Sequence, residues 1–137
     1  MNEALNLQAK TFASSFIENL GGDNFLIRPL SMLAQVSSIN KVLIEDFNGD
    51  GNKDLLVSGN LHPAEIETPR NDSGTGLLLT GDGNGNFTPV SIKESGFFTP
   101  DDVKDVKTIK VGDKRILLVA NNSDYLQAIE HIPSSQD

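Results

Sequence analysis

Cysteine is absent, and with it go a disulfide framework, a thiol nucleophile and any thiolate metal site. Basic residues are few: 11 Lys and Arg stand against 19 Asp and Glu, a formal charge of -8. The basic patch that phosphate binding needs is missing, which excludes nucleic acid as a partner. No apolar run approaches the length of a membrane span. Met1-Asn2-Glu3-Ala4 lacks the basic start and apolar core of a signal peptide, so an exported protein would carry this chain as a mature or excised piece. Histidine is scarce as well. His62 and His131 have no second histidine or carboxylate at ligand spacing, so neither suits zinc or general-base work, and surface or loop positions are expected for both. No G-x-S-x-G or other nucleophile motif occurs, and the expectation is a protein that is not an enzyme.

What remains is ordinary for one globular domain with a core: 137 residues, 37% hydrophobic and 22% charged. Within it one loop stands out, Asp46-Phe47-Asn48-Gly49-Asp50-Gly51-Asn52-Lys53-Asp54, because acidic or amide side chains fall at alternate positions. Calcium is a hard cation that takes six to eight oxygens, and this pattern supplies oxygens and no softer donor. Asp46, Asn48, Asp50 and Asp54 offer side-chain oxygens, Asn52 its carbonyl, and Gly51 the sharp turn. The opening also fits an EF-hand, but the twelfth residue from Asp46 is Val57 where a bidentate Glu is needed. The flanks, Val42-Leu43-Ile44 and Leu55-Leu56-Val57, are short and rich in β-branched or apolar residues, as buried strands are. The loop is expected to join two strands and bind Ca2+; the alternative is an ion-free Asn/Asp/Gly hairpin, since those residues also dominate turns.

A repeat runs through the chain at an offset of 62 residues. Leu55-Leu56-Val57-Ser58-Gly59-Asn60 recurs as Leu117-Leu118-Val119-Ala120-Asn121-Asn122, Asn24-Phe25 falls on Asn86-Phe87, and Phe16-Ile17 falls on Leu78-Leu79. Turn chemistry then divides the chain into strands. Ser14 to Leu20 and Phe25 to Leu30 form one hairpin, and Gly76 to Thr80 and Phe87 to Ile92 form its copy. Val42 to Glu45 and Asp54 to Ser58 flank the acidic loop. Val106 to Val111 and Arg115 to Ala120 form the copy of that hairpin, and Tyr125 to Ile132 makes one more strand. The expected organisation is an N-terminal extension over 1–12, a partial blade over 13–31, a complete blade over 40–93, an incomplete one over 103–132 and a tail over 133–137.

Four-stranded antiparallel units in series are the form of β-propeller blades. Residues 42–57, followed by Gly81-Asp82-Gly83-Asn84-Gly85-Asn86-Phe87-Thr88, resemble the FG-GAP or VCBS repeat family. The resemblance covers one blade well and the flanking segments loosely. It implies an all-β fold of antiparallel four-stranded blades, with calcium held by Asp46, Asn48, Asp50, Asn52 and Asp54. It also implies a binding or scaffold role in a secreted, periplasmic or cell-surface protein, with a protein or carbohydrate ligand, as in the integrin α headpiece; the alternatives are a metal-free structural repeat fragment and an accessory domain of a secreted enzyme. Two departures limit it. The positions equivalent to Asp46, Asn48, Asp50 and Asp54 in the next unit are Thr108, Lys110, Gly112 and Ile116, which cannot form a metal loop. A propeller closes with roughly four to eight blades, and about two are legible here. The chain therefore reads as an unclosed fragment, from the C-terminal part of a larger repeat protein, that self-associates through exposed blade edges.

Three further stretches invite a reading. Gly81-x-Gly83-x-Gly85 imitates a phosphate loop, but a strand follows where a helix would have to begin, so a hairpin turn is expected. The irregular Leu61 to Thr75 carries Glu65, Glu67, Arg70 and Asp72, and is expected either to form a binding rim with Arg70 on an anionic ligand or to pair those charges among themselves. Thr99-Pro100-Asp101-Asp102 has the pattern of a helix cap and predicts one short helical turn.

Overall fold

Period-two alternation and Asn/Asp/Gly turns produce nine strands among the described residues, all paired antiparallel with their sequence neighbours. The computed structural model describes residues 5, 7–63, 65 and 67–131. The rest of the expected N-terminal extension, positions 64 and 66 of the irregular loop, the last residue of the third segment and the 133–137 tail lie outside them. Strands β1 (Ser15–Gly21) and β2 (Asn24–Pro29) form a hairpin. Strands β3 (Lys41–Glu45), β4 (Asp54–Ser58), β5 (Leu77–Gly81) and β6 (Phe87–Val90) form a four-stranded meander. Strands β7 (Val103–Val111), β8 (Lys114–Asn121) and β9 (Gln127–His131) form a three-stranded one.

The three sheets stack face to face, and this explains why β4 reads as an unbroken apolar run. Strands covered on one face alternate; strands covered on both do not. All five residues of β4 are buried. On one face Leu55, Val57 and Leu79 pack with Leu30 from the end of the first hairpin. On the other, Leu56, Leu43 and Leu78 meet Val106, Leu117, Val119 and Ile129 of the third sheet, with Phe47 and Phe97 filling the gap.

The internal repeat is visible in strand register. Ile17 pairs with Ile27 and Asn19 with Phe25; one repeat further on, Leu79 pairs with Pro89 and Gly81 with Phe87. The copy is looser in the third sheet, where a bulge between Val103 and Asp105 shifts the pairing with β8. The architecture is all-β, with one four-stranded antiparallel sheet of blade-like form. Its sheets do not close into a ring, which agrees with the unclosed fragment expected from the sequence.

Two local expectations fail. Thr99–Asp102 is not helical: the Thr99 side chain is buried and shares a 2.7 Å hydrogen bond with Ser58 Oγ, while its N–H donates to Thr75 O. The threonine ties two segments together and leaves no cap for a helix. The short helix α1 instead occupies Ile92–Ser95, ending the preceding strand at Val90. Its signal is a capping box in Ser91-Ile92-Lys93-Glu94: Ser91 Oγ accepts from Glu94 N–H, and the Glu94 carboxylate accepts from Ser91 N–H. The Ser91 hydroxyl and then its N–H hold Glu94 below the usual glutamate range. Ser91→Ala is expected to cost about 1 kcal/mol, seen as a fall of about 3–5 °C in melting temperature. Because Glu94 is depressed in the fold, that deficit is full above the ordinary glutamate range and shrinks as the pH falls through it.

Candidate functional site

The 46–54 loop leaves β3 after Glu45 and re-enters at Asp54, the two residues forming the last pair of the hairpin. Its side chains turn inward on the loop's own backbone. Asp46 accepts from Gly49 N–H at 2.6 Å and, through its second oxygen, from Gly51 N–H at 3.0 Å. Asn48 Oδ1 accepts from Asp50 N–H at 3.0 Å. Asp50 accepts from Asn52 N–H at 2.7 Å and from Asn48 Nδ2 at 2.9 Å, and these two donors hold it below the usual carboxylate range. The result is a ladder of Asx turns, with Gly49 and Gly51 taking the positive φ that the winding requires.

Asp54 is the anchor. It is 0% exposed; Oδ2 accepts from Phe47 N–H at 2.9 Å and Asn48 N–H at 3.3 Å, and Oδ1 from Gly81 N–H at 3.0 Å. One carboxylate thus joins the start of the loop to the end of β5. The approach is close: a Cβ on Gly81 would lie 2.1 Å from Lys53 O, so only glycine fits. The Gly81-Asp82-Gly83-Asn84-Gly85-Asn86 stretch is the hairpin turn expected of it, and Asp82 organises it as the other loop is organised. Its carboxylate accepts from Asn86 Nδ2 at 2.7 Å and Asn84 N–H at 2.8 Å, and is held low by both.

This geometry overturns the calcium assignment. Among the described residues no group of three or more His, Asp or Glu side chains comes together that could hold a metal ion. The physical reason lies in the hydrogen bonds just given. Three carboxylates crowded into nine residues would repel one another, and here backbone N–H donors and amide groups relieve that repulsion by satisfying the same oxygens a cation would need. Asp46, Asn48, Asp50, Asn52 and Asp54 are brought into one loop as structural residues, and Ca2+ is withdrawn as cofactor. In the third sheet β7 runs on through Thr108 and Lys110 to Val111, and Gly112-Asp113 turns it directly into β8, so no second loop exists.

Two further constellations carry no sequence signal. Between the second and third sheets, Glu45 receives Thr108 Oγ1 at 2.9 Å and a salt bridge from Arg115, whose guanidinium lies 5.9 Å from the Phe47 ring. His131, half-buried on β9, meets the same ring edge-on at 5.5 Å and donates from Nε2 to Phe47 O at 2.9 Å. It is therefore neither a loop nor a free surface histidine. The partners of this cluster lie far apart in the chain, which is why spacing did not reveal them.

The second constellation centres on Asn60, also 0% exposed. Its Nδ2 donates to Gly74 O and Pro100 O, each at 2.8 Å, and its Oδ1 accepts from Gly74 N–H at 2.9 Å and Ser37 Oγ at 2.5 Å. It gathers three connections at the end of β4. Beside it lies an open cleft of about 420 Å³ walled by Leu33, Ile39, Leu77, Val90 and Ile92, and none of its lining residues is titratable. In the irregular loop Arg70 pairs with Asp72 at 3.5 Å, the bland outcome of the two expected for it.

No family model, no curated protein and no solved structure matches this chain. The FG-GAP/VCBS resemblance therefore has no homology behind it, and what stands is the coarser description: an unclosed all-β domain containing a blade-like sheet. Among the described residues no helix is long and apolar enough to cross a membrane.

Proposed function

We propose that this chain is a metal-free structural β-repeat module that holds a series of stacked sheets in fixed relation for assembly or display. The observation that carries this reading is Asp54, a buried carboxylate satisfied by three backbone N–H groups, two from the start of its own loop and one from the end of β5. A residue so placed stabilises a turn without an ion. The cleft beside Asn60 supports a non-catalytic role, because acid–base chemistry requires a titratable group and its lining has none. In this proposal the module is a blade-type repeat of the FG-GAP/VCBS kind; its secreted or surface setting belongs to the same proposal and rests on the resemblance.

The test is calorimetric titration of calcium into the EDTA-treated chain, with the melting temperature recorded in calcium and in EDTA. The expected result is no saturable heat and superimposable melting curves. A ligand that binds the folded state at 100 times its Kd adds about 2.7 kcal/mol, so a calcium-dependent rise in melting temperature would overturn the proposal.

A further inference from the structure

Among the described residues the stack is open at both ends, and the two open faces are of opposite kinds. In β1–β2, Phe16 and Arg28 face the second sheet: Phe16 meets Phe87 edge-on at 5.4 Å, and Arg28 donates to Asn84 O at 2.9 Å. The alternate residues face away. Ile17 and Ile27 form a cross-strand pair that is 59% and 51% exposed, and Phe25 beside them is 59% exposed. Asn19, the cross-strand partner of Phe25, and the Ser15–Pro29 pair at the other end of the row carry no charge, so the row is apolar without a feature for a charged ligand.

The internal repeat says what belongs on that row. Ile17 and Phe25 correspond, one repeat on, to Leu79 and Phe87. Leu79 is 0% exposed, packed with Leu55 and Val57 against Leu30, the residue that follows the first hairpin, and Phe87 packs in the same cluster. The complementary face is the one that Leu56 presents to the third sheet. One repeat on from Leu56 stands Leu118, between Leu117 and Val119, which point into the core, so Leu118 points outward. Its cross-strand neighbours Lys107 and Ala128 are exposed, as are Ile109 and Glu130 on either side of Ile116. The chain thus ends on one side with the face that receives a sheet and on the other with the face that is received.

We propose that these faces are two halves of one interface, and that a second copy of this chain stacks head to tail, laying its Ile17/Phe25/Ile27 row on the Ile109/Ile116/Leu118 face of the first. The contact would continue the packing that already joins the sheets within the chain. It differs from the edge pairing expected from sequence in burying faces rather than strand edges. Such an interface is heterologous, so it propagates into a ring or a filament according to the rotation per copy. The inference rests on the structural-module reading, but it is measured by association state and not by metal response, so either can fail alone.

The experiment is sedimentation velocity on the wild type, Ile17→Lys and Ile109→Lys, separately and mixed, with circular dichroism confirming that each variant is folded. The wild type is expected to form species larger than the monomer as concentration rises to about 1 mM, where even a weak interface registers. Each variant alone should be monomeric, because each has lost one half of the contact. Their equimolar mixture should form a 1:1 dimer and nothing larger, since one good face remains on each. A monomeric wild type throughout that range overturns the proposal. So does loss of association in Ile17→Lys with none in Ile109→Lys, which is the pattern of a face-to-face dimer. Should Ile109→Lys be unfolded, Ala128→Lys, on the same exposed face, replaces it in the mixture.

Discussion

Asp54→Ala is expected to lower the melting temperature by about 10–20 °C, while Asp50→Ala changes it little. Removing the carboxylate strands the N–H groups of Phe47, Asn48 and Gly81. A buried donor left without a partner costs about 1–3 kcal/mol, and with part of the loop free to recover water the total is expected near 3–5 kcal/mol. For a chain of this size each kcal/mol moves the midpoint by about 3–5 °C. Asp50 makes its bonds in an exposed turn, where substitutions have little effect on stability. The contrast separates the two readings of the loop. As calcium ligands the two aspartates would matter together and only in calcium; as turn residues they differ widely, and the difference persists in EDTA. Equal effects, or effects that vanish in EDTA, would refute the anchoring role. Amide hydrogen exchange at Phe47 and Gly81 provides the local readout, since both should lose protection in Asp54→Ala.

The acidic loop shows how far sequence reaches in this protein and where it stops. Val42 to Glu45 and Asp54 to Ser58 were legible as strands because apolar period and flanking turn residues agree, and the register repeat was foreshadowed by Phe16-Ile17 and Leu78-Leu79. The chemistry of the loop was not legible. Asp, Asn and Gly at alternate positions satisfy the requirements of a cation and of an Asx ladder equally well, because both need oxygens that converge at short range. What decides is whether backbone N–H groups fill the space first, and the decisive donor, Gly81 N–H, comes from another strand. The same holds for Glu45 with Arg115 and for Phe47 with His131, partners drawn from different sheets. The Thr99 cap pattern misled for a related reason: tertiary contact with Ser58 and Thr75 took the donors and acceptors a helix start would have used. Ser91-x-x-Glu94, by contrast, carries the sequence signature of a capping box, which the strand expected to run on to Ile92 masks.

Asn60→Asp is expected to be the other severely destabilising change, and the one with a distinctive pH dependence. The substitution preserves shape and exchanges a donor for an acceptor. Nδ2 now faces Gly74 O and Pro100 O at 2.8 Å, with Asp101 O at 3.3 Å. A carboxylate oxygen in its place would be buried against carbonyl oxygens, losing the two short hydrogen bonds and adding repulsion. Burial and repulsion both disfavour the charged form, and a loss of about 3 kcal/mol or more is expected at neutral pH. The new carboxyl would have its pKa raised in the folded state above the unfolded value of about 3.9. The folded protein then binds a proton more tightly than the unfolded chain, so the deficit is full at neutral pH and shrinks as the pH falls through the folded-state pKa, reaching its minimum below the unfolded one. Protonation also returns an O–H donor to face the carbonyls. Asn60→Ala lacks that proton, and its deficit relative to wild type should not vary with pH. Thermal melts of the three proteins across the acid range measure this directly. Parallel curves for Asn60→Asp and Asn60→Ala would show that Asn60 does not clamp the Ser37, Gly74 and Pro100 segments through its amide, and that its burial reflects packing and its positive φ of 140° alone.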